Sequence, residues 1–409
     1  MLFSGEPSKG LRGNLAACLL AVCFAVSSLY TTAAVAVSPY CPGYAPPGPP
    51  PTPPNPPGPG PGPVPGPYSP PEPLPSNYMW CPGTAMPAGA FDAGAAVYGN
   101  KIYLVGGHTN AGATAAVHYA QISAADGTLG AWQATTALPV PASGLRVTAH
   151  GGHLYAVGGI VGGGISNQVY YAPISTDGTL GAWQQTAALK DARAYFGMAR
   201  FGDLGGAALG GRIYVAGGAA DGNFGALSSV EYTKIKSDGS LAPWQYAEFA
   251  LPQKVRGLSM VAVDAGLVTA GGFACDGSFA CQNSGEGGQI LSTVRYAAFE
   301  ASGTMHNWTT QNSMATARQN FGLVHYNGNI FALGGMGKAT DTLATVEAAG
   351  FATPTTLTRW GPQAPLNAAR MKFASVPFAR APAVPVIYIL GGGTSFGGPT
   401  ASVEFFTEE

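Results

Sequence analysis

Four arginines, Arg193, Arg256, Arg318 and Arg370, stand at matching places in a 409-residue chain, each just ahead of a short apolar run. A guanidinium holds a fixed charge and five donors in a planar fork, so its natural partner is a carboxylate or phosphate. Asp191 lies beside Arg193, but no acid lies within four residues of Arg256, Arg318 or Arg370. Cations gathered on one rim without such offsets repel one another. The pattern therefore points to an anionic ligand, a carboxylated sugar or an acidic peptide, held by charge-assisted hydrogen bonds. On that reading, changing Arg318 and Arg370 together to Ala leaves folding nearly intact and weakens the ligand by at least ~2 kcal/mol. His108, Asp221 and Asn223 fall in loops expected on the same rim and complete the candidate ligand set. Cys275 and Cys281 lie in the long loop Phe273 to Gln289 and are expected to form a disulfide that preorganises it.

Other chemistries fare poorly. His150 and His153 flank a Gly-Gly turn with no Cys, Asp or Glu nearby, which makes a poor metal site, and no cofactor is expected. Gly393-Thr394-Ser395-Phe396-Gly397 matches the nucleophile-elbow spacing, but Gly398 and Pro399 follow where that motif needs a helix. Asn307-Trp308-Thr309 is a formal glycosylation sequon. Charged residues make up only 10% of the chain and the formal net charge is −1, so there is no basic field for a nucleic acid.

The elements that must position these residues are repeats. A run of β-formers closed by two glycines recurs six times, the doublets beginning at Gly106, Gly158, Gly217, Gly271, Gly334 and Gly391. All six tryptophans, Trp80, Trp132, Trp183, Trp244, Trp308 and Trp360, keep one place in the repeat. Between doublet and tryptophan lies a Val-x-aromatic strand, as in Val230-Glu231-Tyr232, followed by an Asp-Gly turn such as Asp238-Gly239. One repeat thus reads as four antiparallel strands, the second ending in Gly-Gly and the fourth carrying Trp. Such a period points to an all-β propeller. The chain opens on a lone Trp strand, Tyr78-Met79-Trp80, and ends after Val403 to Phe406 with no Trp following. The N-terminal strand is therefore expected to complete the last blade of a six-bladed ring. Loops entering the first strand and loops following Gly-Gly then surround one mouth of the central channel, which is the rim assigned to the arginines.

The apolar strand, Gly-Gly, Tyr and Trp together resemble the kelch repeat over Tyr78 to Glu409, although the 13 residues from Tyr119 to Trp132 exceed that family's short interval. The resemblance implies a β-propeller and places arginines of this kind at a peptide-binding mouth. It also implies an enzymatic alternative, since the kelch-type sialic acid mutarotases are exported six-bladed propellers that bind a carboxylated sugar. Kelch-type copper oxidases need convergent Tyr and His ligands, and the adjacent pair His118-Tyr119 lies inside a strand. Ser175 to Trp183 resembles the sialidase Asp-box with its Gly and Trp out of step, and reads as a structural hairpin.

Residues 1–36 read as a signal peptide, with Lys9 and Arg12 before the apolar run Leu15 to Val26 and small residues at Ala34-Val35-Ala36. Residues 37–76 form a linker or stalk rich in proline and glycine, with 19 prolines among the 34 residues from Pro42 to Pro75. Residues 77–409 form the propeller. Cys41 and Cys81 bracket the linker in matching aromatic-Cys-Pro-Gly contexts and are candidates to pair. The expectation is an exported or cell-surface binding module for an anionic protein or glycan. A sugar-modifying enzyme and a cell-wall or appendage component held by its stalk are the alternatives.

Overall fold

The computed structural model describes Cys41 and residues 78–408, apart from 202–209, 221–224, 265, 276–286, 339–340, 381–383 and 395–396. The chain divides at residues 36 and 37, and every described residue belongs to the second unit. The segments expected to form the signal peptide and most of the proline-rich linker lie outside the described residues. Among those described there is no helix.

Each repeat folds into one antiparallel sheet. In the first, Gly94–Tyr98, Lys101–Val105, Val117–Gln121 and Gln133–Ala134 pair in chain order. The second (Arg146–His150 to Gln184–Gln185), third (Gly197–Arg200 to Gln245–Tyr246) and fourth (Ser259–Val263 to Thr309–Thr310) repeat that order. The fifth runs from Gly322–Tyr326 and carries an extra strand, Thr356–Leu357, beside the long strand Val346–Thr353. The sixth consists of Ala374–Arg380, Val384–Leu390, Val403–Glu408 and, at its edge, Tyr78–Gly83. Tyr78–Gly83 pairs with Val403–Glu408 along its whole length, Trp80 opposite Phe406.

The conserved features of the repeat join one sheet to its neighbour. The amide of the second glycine of each doublet donates to the loop that enters the next sheet, as from Gly272 to the Arg318 carbonyl at 2.8 Å. Gly271 has φ +60°, and a Cβ there would lie 2.4 Å from that same carbonyl oxygen, so a side chain is excluded on both counts. Each tryptophan sits at or just before the outermost strand and donates its indole N–H to a backbone carbonyl of the preceding sheet. Trp132 bonds Thr84, Trp183 bonds Thr136, Trp244 bonds Ala187, Trp308 bonds Phe249, Trp360 bonds Asn312 and Trp80 bonds Ala364. Apolar clusters fill the seams. One joins Phe331 and Leu333 of the fifth sheet to Trp80, Ile389 and Phe406 of the sixth, and another joins Tyr388 and Phe405 of the sixth to Ile102 and Leu104 of the first.

Cys41 and Cys81 are bonded, with their Cα atoms 5.4 Å apart, and both are buried. The two ends of the proline-rich segment are thereby brought together.

Candidate functional site

Three of the four arginines are not at a binding surface. The side chains of Arg193 and Arg318 are fully buried and that of Arg370 is nearly so. Arg193 Nη2 meets Glu231 at 2.5 Å, Arg318 Nη2 meets Glu347 at 2.6 Å, and Arg370 Nη2 pairs with Glu404. In each case Nη1 donates to the first glycine carbonyl of the same sheet's doublet, Gly217, Gly334 or Gly391. The glutamates also accept backbone amides from the loops that carry the arginines, as Glu347 does from Ala315 and Thr316. Burial pulls each guanidinium below the ordinary arginine range and the paired carboxylate pushes it back. These are struts inside single sheets, so the expectation that they face a ligand is corrected. The missing carboxylates come from the third strand of the same sheet, about thirty to forty residues downstream.

Arg256 differs because it is one residue out of register. The carbonyls that accept from the second glycine of each doublet belong to Ala90, Ala142, Arg193, Val255, Arg318 and Arg370. Val255 therefore takes the strut position of the fourth sheet, and Arg295 stands where the third, fifth and sixth sheets have glutamate. Arg256 is partly exposed and lies over the Phe273 ring at 4.7 Å.

Two residues beyond each strut position lies a second equivalent set: Asp92, Gly144, Tyr195, Gly257, Asn320 and Lys372. All six have left-handed backbones, with φ between 49° and 65°. Their peptide groups form a cycle. Asp92 N–H donates to Lys372, Lys372 to Asn320, Asn320 to Gly257, Gly257 to Tyr195, Tyr195 to Gly144 and Gly144 to Asp92, at 2.7 to 3.2 Å. Two positions are glycine, which suits the conformation, and Asp and Asn tolerate it. Tyr195 and Lys372 have no such ease. Non-glycine residues held this way cost about 1–3 kcal/mol each and cluster at functional sites.

Sequence reasoning missed this ring because only two of its six members announce themselves as glycine. It borders a hollow of about 530 Å³ lined by Phe91, Asp92, His108, Ser143, Tyr195 and Lys372 among others. Lys372 Nζ and Tyr195 Oη each approach Asp92 Oδ2 at 3.4 Å, and the Lys372 ammonium lies over the Tyr195 ring at 5.4 Å. Burial raises the Asp92 carboxyl above its ordinary range, against the pull of Lys372 and Arg146. A second cavity, of about 120 Å³, takes one wall from the first strand of each sheet: Gly94, Arg146, Met198, Ser259, Leu323 and Ser375. Arg146 donates from Nε to the Phe196 carbonyl at 2.7 Å, and burial lowers its affinity for the proton while Asp92 raises it.

His108 is exposed and lines the 530 Å³ hollow. Asp221, Asn223 and Cys281 lie outside the described residues, as do Ser395 and Phe396 of the elbow-like motif. Cys275 is disulfide-bonded. Peptide mapping without reductant is expected to recover it linked to Cys281, and a Cys275 peptide linked to any other cysteine overturns that pairing. His150 accepts from Arg200 at 3.1 Å, and no metal-ligating cluster occurs among the described residues.

No family model matches the chain. Beta-scruin of Limulus polyphemus is 32% identical over 127 residues, covering 30% of this chain and 13% of that protein. The solved structure of YjhT matches with a TM-score of 0.59 at 15% identity, over 78% of this chain and 95% of that one. At that identity the likeness is one of fold.

Proposed function

We propose that this chain is a kelch-like β-propeller and an exported binding module that takes an anionic group of a protein or glycan at its channel mouth. In this reading the six sheets are the blades of one ring, and Tyr78–Gly83 completes the last. The cycle of peptide bonds through Asp92 and Lys372, the six tryptophan bonds and the cluster spanning the sixth and first sheets support that closure. Export rests on the character of residues 1–36, and the Cys41–Cys81 disulfide accords with an oxidising compartment.

The observation that carries the functional reading is the ring of left-handed residues at the mouth. It keeps Asp92, Tyr195, Asn320 and Lys372 where glycine would be less strained. Lys372 lines the larger hollow and Arg146 the smaller cavity, and Asp92 is the only acid among the described residues lining the larger hollow. The field there favours an anion. Titration calorimetry with glucuronate and an Asp/Glu-rich peptide, set against glucose and the corresponding Gln/Asn peptide, tests the reading. The charged members are expected to bind and the neutral ones not. Lys372→Asn, which puts at 372 the residue found at position 320, is expected to weaken binding at least tenfold, about 1.4 kcal/mol, without lowering the melting temperature. Equal binding of glucose, or an unchanged affinity in the variant, overturns the reading.

A further inference from the structure

The hollow already contains an anion of its own. Asp92 is 9% exposed at its side chain and lies at the focus of the local cations, with Lys372 Nζ and Tyr195 Oη both 3.4 Å from Oδ2. A second carboxylate drawn to those cations meets Asp92 at close range, and two carboxylates so placed cannot both stay ionised without a large penalty. We propose that a carboxylate ligand entering the mouth shares one proton with Asp92, so that binding takes up a proton from solvent and tightens as pH falls. The proposal rests on the mouth being the binding site and specifies how that site is regulated.

The step balances simply. One proton leaves solvent and is bound by Asp92, with Oδ1 the oxygen proposed to carry it; the O–H then donates to an oxygen of the ligand carboxylate. No other bond forms or breaks. Lys372 and Tyr195 remain on Oδ2, which fixes the orientation of the donor. The ligand carboxylate replaces Asp92 as the counter-ion of the surrounding cations.

The sign follows from the two states. In the free protein Asp92 already titrates above the ordinary carboxylate range, because burial outweighs the pull of Lys372 and Arg146. A bound anion raises it further. Between those two values the complex holds a proton that the free protein lacks, so affinity rises up to tenfold for each pH unit lost across that window. Below the lower value the gain is complete. The other groups facing Asp92 are Lys372 from the sixth sheet, Tyr195 from the third and Arg146 from the second. Lysine, arginine and tyrosine keep their protonated forms from pH 5 to 8. His108 lines the same hollow and is given its own control.

Glucuronate is titrated into the intact protein from pH 5 to 8, in two buffers of different ionisation enthalpy. The expected result for the natural protein is a net uptake approaching one proton and a dissociation constant that falls with pH. Asp92→Asn keeps a residue that tolerates the left-handed backbone and removes the competing charge. It is expected to bind glucuronate at least tenfold more tightly at pH 8, with no proton uptake. His108→Gln is expected to lower affinity throughout and to keep the Asp92 slope. Binding by the natural protein without proton uptake, or an unchanged slope in Asp92→Asn, overturns proton sharing and leaves the mouth as the site. Failure of the natural protein to bind glucuronate at every pH overturns the proposal at its premise, and an acidic peptide that still binds would keep the broader reading alive.

Discussion

Arg318→Ala is expected to destabilise the protein by about 3–5 kcal/mol, because it strands Glu347 in the interior without its cation. Glu347 would keep the amides of Ala315 and Thr316 but lose the 2.6 Å contact to Arg318. The Gly334 and Thr345 carbonyls would lose a donor at the same time. For a propeller of this size the melting temperature should fall on the order of 4–7 °C. Arg256→Ala, where no glutamate occupies the corresponding strand position, is expected to cost no more than about 1–2 kcal/mol, in line with an ordinary substitution. The double variant Arg318→Met with Glu347→Leu should recover most of the loss, since an apolar pair of similar volume avoids desolvating two charges. Thermal unfolding of the three variants decides the matter. Arg318→Ala melting within 2 °C of the natural protein (about 1.4 kcal/mol or less) would remove the strut assignment.

That outcome is opposite to what the arginines suggest when read within their own segments, and the contrast explains what the sequence discloses. Backbone devices repeat in every unit and so are legible. The doublets, the tryptophans and the Val-x-aromatic strand recur because each sheet meets its neighbour in the same way, and the strands fall where those signals place them. Side-chain devices that cross between strands are hidden by their separation. Glu231, Glu347 and Glu404 occur in just those repeats that have Arg193, Arg318 and Arg370 at the strut position. The other three pair Ala90 with His118, Ala142 with Tyr170, and Val255 with Arg295. A search for acids within four residues cannot see this co-occurrence, but comparing whole repeats can. Arg256 misled for another reason, since a one-residue offset is invisible until the backbone bonds assign the register. The ring at the mouth was harder still. Asp92, Tyr195, Asn320 and Lys372 share a backbone conformation and no chemical type, so nothing in their identities marks them as equivalent.

A chain beginning at Met86 is expected to fail to give a soluble folded monomer. It lacks Tyr78–Gly83, whose register against Val403–Glu408 spans six residue pairs. Trp80 is buried, packs on the Phe406 ring at 5.1 Å and donates to Ala364 of the fifth sheet, while its own carbonyl accepts from Asn367. Losing a buried tryptophan alone costs about 3–5 kcal/mol. Here the backbone ladder goes with it, leaving Val403–Glu408 as a bare edge beside the buried rings of Phe405 and Phe406. An unpaired apolar edge recruits strands from other molecules, so aggregation is the expected fate. A chain beginning at Ser76 with Cys81→Ser is the comparator, because it retains the strand and has neither the disulfide nor the free thiol. It should stay monomeric and melt below the natural protein by the contribution of the crosslink alone, of order 2–4 kcal/mol. The decisive arm supplies the strand separately. A peptide covering residues 76–85, added during refolding of the shortened chain, should restore a soluble monomer by adding itself to the exposed edge. If the chain from Met86 instead folds and melts like the comparator, Tyr78–Gly83 is dispensable and the sixth sheet is not held closed by the N-terminus.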